Sequence, residues 1–263
     1  MKRLLSGFIA VPTVVGVVYF GSPHLFLFFV GVVTITGMYE YFKIIDLIGI
    51  HGFPLPGIVL SVILLISFYF DAAFMVEWGL ATSVTLFGVW FFQEDDVKTA
   101  IDQISFTLFG ILYIAGLGGC YLLIRNFEDG NLLILFLFLI TWLGDIAAYY
   151  WGGTFGKTPL APMVSPNKTV EGSIAGLAGS LTAGYIAGFL FLDHIMMEHC
   201  LLVAFICGSI GQFGDLAESL LKRHAGIKDS GNILPGHGGV LDRIDSLLFA
   251  GPAFYCYFKL VII

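Results

Sequence analysis

Residues 131–151 decide the fold class of this chain. They read Asn131-Leu-Leu-Ile-Leu-Phe-Leu-Phe-Leu-Ile-Thr-Trp-Leu-Gly-Asp-Ile-Ala-Ala-Tyr-Tyr-Trp151, and Asp145 is their single charged residue. A helix of about 20 apolar residues crosses the roughly 30 Å of bilayer hydrocarbon. The stretch therefore predicts a membrane-spanning helix that carries one carboxylate near its end.

The same composition extends along the whole chain. Hydrophobic residues make up 58% of its 263 positions and charged residues only 12%, which is far from the usage of soluble domains. Nine stretches are predicted to span the membrane: 4–20, 25–42, 54–70, 76–92, 104–124, 131–151, 173–192, 200–218 and 244–262. Because they use most of the chain, we predict an all-α polytopic membrane protein with one domain over 1–263. Scaffold helices would occupy 1–103, and catalytic helices and loops 104–263.

The distribution of basic residues predicts an orientation in the membrane. With nine spans, the amino terminus and the loops after spans two, four, six and eight lie on one side, which holds ten of the 12 Lys and Arg residues. Positive charge favours the cytoplasmic side, so the amino terminus and both long polar loops are predicted to be cytoplasmic. The first span contains Pro12 and no convincing cleavage site, so it is predicted to be retained as an anchor.

Charge is concentrated in residues 219–245. This segment contains four basic residues, three aspartates, two histidines and a glycine pair: Lys222, Arg223, Lys228, Arg243, Asp229, Asp242, Asp245, His224, His237, Gly238 and Gly239. Charges near a bilayer are costly and are usually kept for a substrate or an ion. Cations beside carboxylates suit a magnesium-bound polyphosphate. In the amino-terminal half, Glu40 is interpreted as an ordinary interfacial residue.

The helical periodicity places several of these acids together. If span eight stays helical, Asp215, Glu218, Ser219 and Lys222 form one polar stripe. Asp242 and Asp245 fall in the first turn of span nine, where the helix dipole favours negative charge.

Magnesium usually takes one or two carboxylates together with phosphates and water. We therefore predict that Asp215 and Asp242 hold the ion, with Asp145 or Asp245 completing a second shell. The alternative is ion pairing of Asp215 and Asp242 with Lys222 and Arg243, which would stabilise a helix bundle without a metal.

The loop 152–172 is rich in Gly, Pro and hydroxyl residues and is predicted to be irregular, with backbone N–H groups facing an anion at the start of span seven. Span seven carries small residues at a spacing of four, which favours close helix packing in lipid; they are Gly172, Gly176, Ser180, Gly184 and Gly188.

The residue inventory suits nucleotidyl transfer. Pyrophosphate leaving a nucleotide needs neutralisation by a metal and by Lys or Arg, and five cations could supply it: Lys157, Lys168, Lys222, Arg223 and Lys228. No serine-histidine-acid set or cysteine nucleophile stands out. An attacking phosphate is already ionised and needs no general base. His237 is interpreted as a hydrogen-bond donor to the substrate, or alternatively as a turn residue.

These residues resemble the signature of phosphatidate cytidylyltransferases, also called CDP-diacylglycerol synthases. The matching positions are Ser219, Lys222-Arg223, Lys228-Asp229, His237-Gly238-Gly239 and Asp242-Arg243-Ile244-Asp245. Upstream, Asp145-Ile-Ala-Ala-Tyr149 and the run from Ser165 to Gly172 are also similar to that family. The specific resemblance covers the carboxy-terminal part of the chain, from span six onward.

The resemblance implies an enzyme of the bacterial cytoplasmic (inner) membrane that converts CTP and phosphatidate into CDP-diacylglycerol and pyrophosphate with Mg²⁺. It assigns catalysis to Asp215, Asp242, Lys222, Arg223 and Asp245, with Asp215 and Asp242 as metal ligands. Substrate binding is predicted for Lys157, Ser165, Asn167, Lys168, Thr169, Glu171, Lys228, Asp229, His237, Gly238, Gly239, Arg243 and Asp145. The resemblance further implies a potassium ion as a second ion and a homodimer; no nucleic-acid partner is expected.

Other classes of membrane protein remain open at this point. A transporter or channel would spread its charges along a pore, whereas here they crowd one edge of the membrane. A CDP-alcohol phosphotransferase would carry a glycine after its first aspartate, but Leu216 follows Asp215. Kinases of lipid alcohols and transferases acting on archaeal ether lipids are further alternatives.

Overall fold

The computed structural model describes residues 2–71, 75–93, 96–233, 236 and 238–262. Over these residues the chain is predominantly helical, as predicted, and contains one short β-hairpin. The elements in chain order are α1 Lys2–Phe20, α2 Pro23–Leu47, α3 Pro54–Tyr69, α4 Met75–Gln93, α5 Val97–Gly110, a π-helical segment Ile111–Gly116, α6 Leu117–Arg125, α7 Gly130–Phe155, β1 Pro159–Ala161, β2 Ser165–Thr169, α8 Val170–Leu190, α9 Met197–His224, α10 Leu241–Tyr257 and a π-helical segment Phe258–Ile262.

Six helical stretches of the described chain are long and apolar enough to cross a membrane. They are Pro23–Leu47, Val97–Arg125, Gly130–Phe155, Val170–Leu190, Met197–His224 and Leu241–Ile262. Each of the nine predicted spans falls on a helix, but α3 and the apolar part of α1 are shorter than a full span. The protein is a multi-pass helical membrane protein, and the number of nine spans stays a prediction.

The helix boundaries follow local capping chemistry, which hydropathy does not report. Ser22 accepts a hydrogen bond from Leu25 N at 3.2 Å and Pro23 occupies the first turn of α2. The Asp96 side chain accepts from Lys98 N at 3.0 Å at the start of α5. Such caps satisfy N–H groups that have no partner inside the helix. Helix α9 is longer than the predicted span, which ends at residue 218, and continues as far as His224. The polar stripe therefore extends beyond the apolar part of the helix.

The described chain groups into two compact units. The first contains residues 1–126 and 224–243, and the second contains residues 127–223 and 244–263. The predicted single domain over 1–263, with a scaffold part and a catalytic part, stays a prediction.

In the first unit, apolar side chains of α2 and α3 pack with the helical segment from α5 to α6. Tyr41 is fully buried and donates its hydroxyl to Phe106 O at 2.8 Å. Arg125, at the end of α6, donates to Val18 O and Gly21 O. This arginine therefore satisfies carbonyl groups at the end of α1 that the helix itself leaves without partners.

In the second unit, small residues let the helices approach closely. A Cβ added at Gly144 would lie 2.6 Å from Ser180 Oγ, and one at Gly184 would lie 2.8 Å from Cys200 O. Helix α8 therefore packs against α7 and α9. The prediction that its small residues serve packing is confirmed, because all five are buried: Gly172, Gly176, Ser180, Gly184 and Gly188.

The prediction that 152–172 is irregular is wrong. Helix α7 continues to Phe155, and β1 and β2 then pair in antiparallel fashion, with Pro159 opposite Thr169 and Ala161 opposite Ser165. Pairing consumes backbone N–H groups of β1 and β2 that we expected to face an anion. The hairpin leads directly into α8, where Thr169 Oγ1 accepts a hydrogen bond from Gly172 N at 3.1 Å and so caps the helix.

Candidate active site

Asp215 lies at the centre of a polar cluster in the second unit. Its Oδ2 atom forms an ion pair with Lys168 Nζ at 2.5 Å, and its Oδ1 atom accepts a weak hydrogen bond from Ser219 Oγ at 3.4 Å. The helix α9 places Asp215 and Ser219 one turn apart, as the spacing predicted. Lys168 comes from β2, so the hairpin and α9 meet at this carboxylate.

A second ion pair lies one turn further along α9. Lys222 Nζ contacts Glu218 Oε2, and the two side chains are 10% and 0% exposed. Two charges removed from water need each other as partners. Because α9 is one continuous helix over this stretch, the predicted polar stripe is confirmed. Lys222 is paired with a carboxylate inside the protein, and its assignment to the leaving pyrophosphate stays a prediction.

Asp245 adds a further acid to the cluster. It lies within electrostatic range of Asp215, Glu218 and Asp145. Its Oδ1 atom accepts from Ser246 N at 2.7 Å. The close approach of α9 and α10 has a steric cause: a Cβ at Gly214 would lie only 2.5 Å from Asp245 O.

The donor chemistry of this cluster fits a divalent cation. Asp245 lies near three other carboxylates, of which Asp215 pairs with Lys168 and Glu218 pairs with Lys222, so the fully ionised cluster carries two more negative charges than positive ones. In the part of the chain that the structure describes, no three His, Cys, Asp or Glu side chains are placed to hold a metal ion by themselves. Magnesium needs only one or two protein carboxylates when substrate phosphates and water supply the rest. Asp215, Asp245 and Asp145 are acids of this cluster that could serve it.

The remaining polar residues of the hairpin contact the protein itself. Glu171 accepts hydrogen bonds from Lys157 N at 3.1 Å and from Thr158 N at 3.1 Å, and Thr158 Oγ1 also donates to it. Arg223 donates through Nε to Val164 O at 3.1 Å. These contacts fix the hairpin between α7 and α8 and attach it to α9. Lys157 and Asn167 are exposed and Ser165 is half-buried; substrate binding by these residues, Thr169 and Glu171 stays a prediction.

Asp242 lies in the first unit, at the start of α10. Its Oδ2 atom accepts three hydrogen bonds: from Ser230 N at 2.9 Å, from Ser230 Oγ at 2.9 Å and from Gly239 N at 2.8 Å. Gly238 has a φ of +81°, and a Cβ there would lie 2.7 Å from Asp242 Oδ2. The glycine pair that was assigned to substrate binding is thus required for the backbone to reach this carboxylate.

The interpretation of Glu40 as an ordinary interfacial residue is wrong. Its side chain belongs to α2, is only 1% exposed, and accepts from Val240 N at 3.0 Å, Leu241 N at 2.8 Å and Ser230 Oγ at 3.2 Å. A buried carboxylate must be hydrogen-bonded to be tolerated, and these three donors satisfy it.

A groove of about 390 Å³ opens beside the same loop in the first unit. Lys43, Ile44 and Leu47 of α2 line one wall, and residues 227 and 229–233 line the other. Asp229 is part of that lining. Lys228 and Arg243 are exposed. His237 lies outside the described residues, so its role stays a prediction.

Sequence reasoning missed three residues that the structure brings into these clusters. Glu218 was placed on the polar stripe but given no role, Glu40 was set aside, and Ser230 was not noticed. For Glu40 and Glu218 a signal existed, because each is a carboxylate inside an otherwise apolar run. No sequence signal marks Ser230, whose two acidic partners are 190 and 12 positions away.

Comparison with known proteins defines the class. The family model of the cytidylyltransferase family matches residues 1–261, and the chain belongs to this family. The family recognised from the sequence is thereby confirmed.

Individual relatives are named more specifically. The chain is 47% identical over 149 residues to a protein from Staphylococcus saprophyticus named phosphatidate cytidylyltransferase. It is 46% identical over 148 residues to a protein of that name from Staphylococcus haemolyticus, and 48% identical over 149 residues to one from Staphylococcus aureus. Each match covers 56% of this chain and 56% of the relative, so it spans just over half the length of these proteins.

Proposed function

We propose that this protein is a phosphatidate cytidylyltransferase. It transfers CMP from CTP to phosphatidate, giving CDP-diacylglycerol and pyrophosphate. The observation that carries the proposal is the cluster around Asp215, in which carboxylates and lysines gather at the end of a membrane helix. The family membership, the names of the relatives and the match to the signature support the same activity.

Both substrates carry phosphate groups, and the cluster suits them. Magnesium, when bound, neutralises phosphate charge and makes the α-phosphorus more electrophilic. Asp215 and Asp245 are the residues of the second unit that would hold it. The resemblance names Asp242 as a further ligand. The variant Asp242→Asn tests that assignment, because it is then expected to abolish turnover. A potassium ion and a homodimer are further proposals that follow from the resemblance.

The reaction needs positioning and charge neutralisation from the protein, with no general base. An oxygen of the phosphatidate phosphate, already ionised at neutral pH, attacks the α-phosphorus of CTP. The bond from that phosphorus to the bridging oxygen of the β-phosphate breaks in line, and pyrophosphate departs with the electron pair. Lys168, beside Asp215, and Arg223, near the hairpin, are the cations that would stabilise the developing charge.

The membrane-embedded helices suit a lipid acceptor. Phosphatidate keeps its acyl chains in hydrocarbon while its phosphate reaches the helix ends, and CTP arrives from water. We propose that these helix ends and the amino terminus face the cytoplasm in the bacterial inner membrane, as the distribution of Lys and Arg predicts.

The activity can be tested with the purified full chain in detergent. CTP labelled in its α-phosphate is supplied with magnesium and either phosphatidate or diacylglycerol. We expect labelled lipid from phosphatidate alone, with one pyrophosphate released for each labelled lipid formed. In a parallel reaction with CTP labelled in its γ-phosphate, label passing to diacylglycerol would instead identify a lipid kinase. An absence of labelled lipid from α-labelled CTP in every reaction would overturn the proposal.

A matched pair of variants connects the activity to the site. Asp215→Asn removes one charge from the cluster and is expected to abolish turnover while the protein remains folded in detergent. Asp193→Asn makes the same chemical change at a side chain that is 91% exposed, and it is expected to be fully active. Full activity of Asp215→Asn would contradict the role given to this carboxylate.

A further inference from the structure

Glu40 and Asp242 are connected through one serine in the first unit. Ser230 Oγ lies 3.2 Å from Glu40 Oε2 and 2.9 Å from Asp242 Oδ2. The hydroxyl has a single proton, so it can donate fully to only one of the two carboxylates at a time. The main-chain N–H of Ser230 donates to Asp242 as well, at 2.9 Å. The positions of the two acids are therefore coupled through this residue.

Glu40 caps the start of α10, although it belongs to a different helix, α2. The first N–H groups of a helix lack intrahelical partners, and a short acidic side chain at the start commonly accepts from them. Here Val240 N and Leu241 N donate to Glu40, at 3.0 Å and 2.8 Å. Asp242 therefore turns towards Ser230 and Gly239.

The fit around Glu40 leaves no space for adjustment. A Cβ added at Gly231 would lie 2.7 Å from Glu40 Oε1, and one at Gly239 would lie 2.6 Å from both Glu40 oxygens. The carboxylate is thus enclosed by the backbone of the loop between α9 and α10. A residue that only anchors a helix at the membrane surface would need no such enclosure.

We infer that Glu40 is a positioning residue: it holds the start of α10 and Ser230 so that Asp242 keeps one orientation for the reaction. The inference rests on the proposed function for its effect on turnover, although the positioning itself does not depend on that function. Residues that orient a ligating or catalytic side chain typically change metal affinity or activity by about 10- to 100-fold when they are replaced.

The test compares Glu40→Gln with Asp46→Asn, which makes the same carboxylate-to-amide change on α2 at a side chain that is 62% exposed. For each protein we would measure kcat and KM for CMP transfer, the magnesium concentration for half-maximal rate, and amide hydrogen exchange of the peptides covering 229–243. For Glu40→Gln we expect kcat to fall about 10- to 100-fold, the magnesium requirement to rise, and exchange at the start of α10 to accelerate. Asp46→Asn should match the unaltered protein in all three.

Ser230→Ala gives a second variant in case Glu40→Gln does not fold. It removes the shared hydroxyl and keeps the main-chain N–H, so we expect a smaller loss in the same direction and faster exchange in the same peptides. Unchanged kcat and unchanged exchange in Glu40→Gln would overturn the inference. So would a loss of rate no larger than the loss of folded protein seen by size-exclusion chromatography. If the unaltered protein transfers no CMP, the proposed function fails, and the exchange measurement still decides whether Glu40 holds α10.

Discussion

Lys168 Nζ and Asp215 Oδ2 lie 2.5 Å apart, and this ion pair joins the end of the hairpin to α9. The side chains are 28% and 32% exposed, so water screens the pair less than it would a pair on an open surface. A substrate phosphate could take the place of the carboxylate as the partner of Lys168. Asp215 would then be released to contact a cation.

Replacing Lys168 by methionine is expected to slow CMP transfer strongly. The substitution removes a positive charge that we propose lies at the reacting phosphates, while keeping much of the side-chain volume. Loss of one preorganised group that stabilises developing charge typically costs about 10²- to 10³-fold in kcat. Steady-state rates with labelled CTP measure the effect.

Lys98→Met is the matched control for this change, because Lys98 is an exposed residue in the first turn of α5. We expect it to retain the rate of the unaltered protein. A Lys168→Met protein that keeps more than half of that rate would show that Lys168 does not act on the substrate.

The buried pair of Glu218 and Lys222 is expected to matter for stability. Lys222→Met leaves a fully buried carboxylate without this partner, which typically costs about 3–5 kcal/mol. The thermal unfolding midpoint in detergent should therefore fall clearly. The double variant Glu218→Leu with Lys222→Met removes both charges and should recover most of that loss. A double variant no more stable than Lys222→Met would contradict the pairing.

Gly239→Ala is expected to disrupt the loop that holds Asp242. The added Cβ would lie 2.1 Å from Ser230 Oγ and 2.6 Å from Glu40 Oε1, so the loop must move. We expect a lowered unfolding midpoint and loss of CMP transfer. Gly31→Ala on α2 meets nothing within 4 Å and should be neutral or stabilising by up to about 1 kcal/mol. Equal unfolding midpoints and equal CMP transfer in the two variants would contradict the tight packing of the loop around Gly239.

Removal of divalent cations is expected to stop the reaction reversibly. Excess chelator should abolish labelled lipid formation, and added magnesium should restore it. Magnesium with CTP should also raise the unfolding midpoint of the unaltered protein and of Asp193→Asn, because a ligand that binds only the folded state stabilises that state. Asp215→Asn lacks the proposed metal ligand, so its midpoint should not rise. Full transfer in excess chelator would contradict a metal requirement.

The sequence could predict the local features of this protein because they depend on residues close together in the chain. Long apolar runs identify α7 and the other long helices, since the bilayer requires continuous apolar length. The positions of Asp215, Ser219 and Lys222 on one face of α9 follow from the helical repeat. The spaced signature identified the family. In the hairpin this approach failed, because glycine and proline content does not report whether β1 and β2 find each other.

By itself, then, the sequence determined the helical membrane class, the family and which charged residues share a helix face. Only the tertiary structure decided which groups distant in the chain meet: Lys168 with Asp215, and Glu40 with Ser230 and the start of α10. The physical reason is that a buried carboxylate must find donors wherever the packed backbone supplies them. For Glu40 these donors lie about 200 positions away in the chain, beyond the reach of any local pattern.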